Sequence, residues 1–228
     1  MRIIQSIQTV CLGEPGYPRR LHDLYDPPKR LYIYGNMDLL SLPMVAIVGA
    51  RLASPQGIRN ARFFAQALSK AGLLVISGLA RGIDGAAHQA CLDLGPPATT
   101  VAVCGTGLDQ VYPPEHLELA HSIQRKGLLL SEFPSGIRAK AFHFPRRNRL
   151  IAALALGVII VEGAQKSGSL ITARLALELG REVFAIPGPI HHPLYAGCNY
   201  LIQEGAKLVT NPKDILDELI FPLSQKKD

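Results

Sequence analysis

From residue 44 onward, short apolar runs alternate with longer stretches in which apolar positions recur every three to four residues. The runs at 44–48, 73–76, 100–104, 128–130, 158–161 and 182–186 read as strands, with a short one at 207–209. After the first run, Ile58, Ala61, Ala65 and Leu68 share one helical face, and Arg59, Arg62, Gln66 and Lys70 take the opposite one. Further helices are predicted to begin near Gly85, Pro114, Arg149, Leu170 and Pro212. Strands that are apolar on both sides belong in a parallel sheet covered by helices. The alternation therefore predicts an α/β fold: a doubly wound, mostly parallel Rossmann-like sheet with helices on both faces. Residues 1–43 carry Pro15, Pro18, Pro27, Pro28 and Pro43. They read as an extended N-terminal lead-in packed on the core, with one short strand at 31–34. Residues 44–221 are expected to form the main domain and 222–228 a charged tail.

Composition narrows the classes. At 228 residues, with 48% hydrophobic and 18% charged residues, the chain is globular and long enough for one large α/β domain. A formal charge of +6 suits a polyanionic partner. Cys11, Cys91, Cys104 and Cys198 are scattered, which argues against a disulfide framework or zinc site and fits a reducing compartment. His191-His192 stands apart from other potential ligands, so no metal and no cofactor are expected. No signal-peptide core and no membrane-length apolar run is present, so the expected location is cytoplasmic.

In a doubly wound sheet, ligands bind outside the carboxyl ends of the strands. After the first strand of the main domain come Gly49, Arg51 and Ser54, the last placed to cap a helix that starts at Pro55. Free amides there, with Arg51, would hold a phosphate; an ordinary turn, cap and solvated arginine fit equally. The next strand end supplies Ser77, Gly78, Arg81 and Gly82, which suggests backbone wrapped around an anion. Asp84 and His88 share a helix face there, open to acid–base chemistry or to a structural role. Gly105 and Gly107 repeat the device, followed by Asp109 and Tyr112. Ser167, Gly168 and Ser169 precede another helix, where the serines either cap it or donate to a phosphate. The Gly-x-Gly-x-x-Gly spacing of dinucleotide enzymes is missing after the first strand, which disfavours bound NAD.

The most distinctive segment runs Arg-Ala-Lys-Ala-Phe-His-Phe-Pro-Arg-Arg-Asn-Arg at 138–149. Its five cations Arg138, Lys140, Arg146, Arg147 and Arg149, with Asn148 and the rings of Phe142 and Phe144, combine phosphate neutralisation with base stacking. That combination is what single-stranded nucleic acid requires. A basic surface loop with its phenylalanines tucked into the core is the other reading.

The order of these motifs resembles one family closely. Val48-Gly49-x-Arg51-x-x-Ser54, Ser77-Gly78-Leu79-Ala80-Arg81-Gly82-Ile83-Asp84 with Ala87-His88, and Tyr112-Pro113 lead the series. Ser131-Glu132, Phe144-Pro145-x-Arg147-Asn148-Arg149, Val161-Glu162, Ser167-Gly168-Ser169, Thr172-Ala173, Pro187-Gly188 and Gly197-Cys198-Asn199 follow. Together they resemble the DNA-processing protein A family (DprA/Smf) over about residues 15 to 212. The resemblance implies a non-enzymatic Rossmann-like domain that binds single-stranded DNA without base specificity. It also implies self-association as a homodimer, and loading of the RecA recombinase onto incoming strands during natural transformation. It assigns the DNA groove to Arg51, a basic residue near Lys140, and Phe144. The resemblance places dimer contacts toward the end of the domain, so the segment 197–202, with Leu194 and Tyr195, is a candidate self-association surface; that Leu201 and Ile202 simply cover the sheet fits equally. Ala50 replaces the family's usual Ser or Thr, and the Gly-Leu-Ser ending of the helix after Arg149 is missing. A core-only form is expected, without the N-terminal helical domain or C-terminal winged helix of many members.

The rival reading is a nucleoside-monophosphate phosphoribohydrolase on a related fold. That chemistry uses a Pro-Gly-Gly-x-Gly-Thr loop and a following glutamate. The nearest string here, Pro187-Gly188-Pro189, has no such glutamate.

Overall fold

The structure, a computed structural model, describes residues 6–219; the charged tail expected at 222–228 lies outside them. Among the described residues nine strands form one sheet. The lead-in supplies β1 (Gln8–Cys11) and β2 (Arg30–Gly35). Then come β3 (Met44–Val48), β4 (Leu74–Ser77), β5 (Thr100–Val103) and β6 (Leu128–Ser131). The last three are β7 (Gly157–Ile160), β8 (Glu182–Ala185) and β9 (Lys207–Leu208). Their spatial order is β1-β2-β6-β5-β4-β3-β7-β8-β9. Every pairing from β6 to β9 is parallel, and β1 and β2 extend the β6 edge as an antiparallel pair. β1 escaped the sequence reading because of its four residues only Val10 is fully buried.

Among the described residues seven α-helices flank the sheet: α1 (Pro55–Lys70), α2 (Ile83–Asp93), α3 (Leu117–Lys126), α4 (His143–Leu154), α5 (Gly168–Glu178), α6 (Ala196–Gln203) and α7 (Pro212–Leu216). The pleat sorts the central strand between two layers. Val45 and Ile47 pack with Ala61, Phe64 and Leu68 of α1 and Ile83 of α2. Met44, Ala46 and Val48 face Leu150 of α4, Ala173 of α5, and Tyr17 and Leu21 of the lead-in. The lead-in is further tied down by Tyr17, whose hydroxyl donates to the Pro28 carbonyl at 2.8 Å. Among the described residues no helix is long and apolar enough to cross a membrane.

Two expectations need correction. α4 starts at His143, not near Arg149, so the basic segment ends inside a helix. The segment expected for self-association is largely interior: Tyr195, Cys198 and Leu201 are buried, and Gly188 leaves room for the Tyr195 ring. Its apolar residues cover the sheet beside β7 and β8.

The winding runs outward from β3 through β4 and β5 to β6, then returns to β7 on the other side of β3. Loops leaving β3 and β7 therefore diverge, which opens a crevice at the carboxyl edge.

Candidate nucleic-acid interface

A cleft of about 630 Å³ occupies this crevice. Its walls are the loop after β3, with Gly49 and Arg51, the segment at Lys140, one face of α4, and the start of α5 at Ser167, Gly168 and Ser169. From α4 it takes Phe144, Arg147, Asn148 and Ile151, the i, i+3, i+4, i+7 face of one helix. The helical start at His143 thus divides the basic segment by face. Phe144 and Asn148 point to the cleft. Arg146 and Arg149 turn away and share the buried carboxylate of Glu132, at 3.0 and 2.5 Å. Arg149 also donates to the Asp26 carbonyl at 2.6 Å. It clamps the lead-in to α4 and is not a cleft residue, contrary to expectation.

Arg147 requires the largest correction. Its side chain is only 4% exposed. The guanidinium donates to the carbonyls of Gly78 and Val103, the latter at 2.6 Å, and through Nε to Asn148 at 3.0 Å. Gly78 has no room for a Cβ because this guanidinium lies against it. Arg147 therefore bridges the carboxyl ends of β4 and β5 and seats α4 on the sheet.

Two of the loops read as phosphate sites are already filled by a carboxyl group of the protein itself. In the loop after β4, Leu79 adopts φ +59°, a left-handed conformation that costs a non-glycine residue energy. Its flanking amides, Gly78 N–H and Ala80 N–H, donate to one oxygen of Asp84 at 3.1 and 3.4 Å. Burial pushes the Asp84 carboxyl up, against the opposing pull of Arg147 and those amides. His88 beneath it is fully buried, accepts from Leu79 N–H and contacts the Thr100 hydroxyl at 2.8 Å. Burial, then His116 and Arg147, hold its pKa at about 3, so it is neutral. At the start of α1, Ser54 caps the helix through Gly57 N–H at 3.0 Å, and its own N–H and hydroxyl donate to the buried carboxylate of Glu162. That carboxylate sits at the positive end of α1, where a phosphate was expected.

The remaining glycines and Ser77 serve packing. Ser77 is buried and donates to the Ile47 carbonyl at 2.6 Å. Gly82 takes φ +70° against the Ala50 and Arg51 carbonyls. Gly105 lies against the Phe144 ring, which a Cβ would meet at 3.0 Å. Ser54, Ser77, Gly78, Gly82, Gly105, Arg147 and Arg149 thus build the site without presenting free groups to it.

What stays open is compact. Arg51 is exposed, with its guanidinium carbon 5.1 Å from the Phe144 ring centre. Lys140 is exposed and lines the same cleft, as does the half-buried Phe144. No side chain caps the start of α5; Ser167 and Ser169 instead bond each other at 2.7 Å. Tyr112, which the sequence reading noted without assigning a role, lies 5.4 Å from Phe144 and lines the cleft. Its signal was the Tyr-Pro pair shortly after a strand-end glycine loop. Arg81 stands just outside, paired with Glu115. Among the described residues no cluster of His, Cys, Asp and Glu could hold a metal ion. Exposed cations, a helix start and two rings at one edge can bind a flexible polyanion that carries flat bases.

Comparison with known proteins gives this arrangement its family. The family described as DNA recombination-mediator protein A matches residues 8–220. The chain belongs to that family. DNA processing protein DprA of Streptococcus pneumoniae is 50% identical over 217 residues, covering 95% of this chain and 76% of the relative. Protein Smf of Escherichia coli is 47% identical over 208 residues, and there the chain spans only 55% of the relative. The crystal structure of the pneumococcal protein superimposes with a TM-score of 0.91 at 47% identity, covering 96% of this chain and 76% of that one. DNA processing protein A of Helicobacter pylori, whose structure is described as revealing a single-stranded DNA binding mode, matches with a TM-score of 0.83 at 33% identity. That match covers 93% of this chain and 95% of the other. A molybdenum cofactor binding protein from Rippkaea orientalis, at 16% identity and a TM-score of 0.53, shares the fold alone. Membership in the recombination-mediator family favours the DNA-processing reading over the phosphoribohydrolase one.

Proposed function

We propose that this chain binds single-stranded DNA without base preference, protects it, and loads the RecA recombinase onto it during natural transformation. It would do so in the cytoplasm, as a homodimer and without catalysing a reaction. One observation carries the reading: Arg51, Lys140 and the uncapped start of α5 surround Phe144 in a cleft at the topological switch point. Cations take the phosphates, whose counterions are released, and the ring takes a base. Every base has a π-face, so stacking discriminates little. The H. pylori relative's single-stranded DNA binding mode supports the same reading.

Anisotropy titrations with oligo-dT, oligo-dC and mixed oligonucleotides of equal length are expected to agree within about threefold. Prebound chain is expected to speed RecA assembly on the same strands. A tenfold preference for one composition would remove base independence, and unchanged RecA assembly would remove the hand-over.

A further inference from the structure

On the far side of Phe144 a small hollow adjoins the main cleft. Arg51, Tyr112 and Phe144 border both; Arg81 and Pro113 border the hollow only. Phe144 already has two neighbours, with Arg51 over its ring and Tyr112 tilted 37° to it. A base that reaches this edge therefore meets the Tyr112 ring as well, which is 40% exposed.

Next to that ring, Arg81 and Glu115 form an ion pair with both side chains about half exposed, at 52% and 47%. The hydrogen bond from Arg81 holds the Glu115 carboxyl down at about 2, so it stays ionised at neutral pH. An exposed pair of this kind contributes little stability, so another anion can replace the carboxylate at small cost. The turn that carries Tyr112 and Glu115 is fixed from below, because the His116 ring donates to the Leu79 carbonyl at 2.9 Å. A ring and a guanidinium held side by side on a rigid turn match one nucleotide: a base and its phosphate.

We propose that Tyr112 and Arg81 form a second nucleotide station beyond Phe144, with Glu115 occupying the phosphate position in the free protein. The inference rests on the single-stranded DNA reading above and extends it from the main cleft, across the shared Tyr112, to Arg81 in the adjoining hollow. Strand entering the station exchanges the carboxylate of Glu115 for a phosphate oxygen on Arg81, and a base lies on Tyr112.

The test uses the whole chain and fluorescein-labelled oligo-dT. Tyr112→Ala is expected to weaken binding about 5- to 150-fold, the range of one base–aromatic stack, with an unchanged salt slope. Tyr112→Phe is expected to bind as wild type. Glu115→Gln is expected to tighten binding about twofold to fivefold, because Arg81 is then free. That gain should vanish in the Arg81→Ala background, whereas simple removal of a repulsive charge would persist there. If wild type binds and Arg51→Ala weakens it, full binding by Tyr112→Ala overturns the station alone. A Glu115→Gln gain that is absent, or that survives loss of Arg81, does the same. If wild type does not bind oligo-dT, the functional reading and the station fall together.

Discussion

Replacing Arg147 with alanine is expected to cost about 3–5 kcal/mol of folding stability, the range for breaking a buried charged contact from one side. The side chain is almost wholly buried, and its guanidinium satisfies two main-chain carbonyls at the ends of β4 and β5. It also opposes the charge of Asp84. Alanine would leave those carbonyls and a buried carboxylate without their partner and open a void under α4. Lysine is expected to recover only part of the loss, because a single ammonium cannot reproduce the planar fork. Urea denaturation measures this directly. A midpoint within error of wild type, with oligonucleotide affinity reduced, would return Arg147 to the DNA-contacting set and contradict its role here.

Arg51→Ala is expected to do the reverse. Arg51 is exposed, and its guanidinium lies over the Phe144 ring. Its loss should therefore shift the melting temperature little. Hydrogen bonds to charged groups contribute about 1.5–3 kcal/mol, so affinity for oligo-dT should fall about 10- to 150-fold. The salt slope should drop by about one phosphate contact. Lys70→Ala, at the exposed end of α1 away from the cleft, is the control. Equal effects of the two substitutions, with both proteins folded, would mean that the cleft is not where DNA binds.

The contrast between these arginines shows how far the sequence could be read. Apolar runs such as 44–48 and 158–161 announced a parallel sheet because its strands are covered on both sides and need little else. The loops after the strands were correctly located, but their ligands were not. Asp84 and Glu162 were visible as residues, yet only the folded loops show each carboxylate folded back onto nearby amides. A glycine-rich loop that wraps an anion looks the same in sequence whether the anion is a phosphate or a side chain. The basic segment was misjudged for a different reason. A helix start near Arg149 leaves the cations of 138–149 in one loop before it, with nothing to divide them by face. A helix from His143 sends Arg146 and Arg149 to Glu132 and buries Arg147. Tyr112 lay in a loop with no periodic signal, and its approach to Phe144 depends on long-range packing.

Titration of one fluorescent oligo-dT against a duplex of equal length, at several salt concentrations, tests the central claim most directly. Bases in a duplex are already stacked and cannot reach Phe144, whereas phosphates in either form can meet Arg51 and Lys140. The expected result is binding to the single strand at least tenfold tighter than to the duplex, with log affinity falling steeply and linearly with log salt. Equal affinity for the duplex, or affinity indifferent to salt, would contradict a cleft built to hold single-stranded DNA.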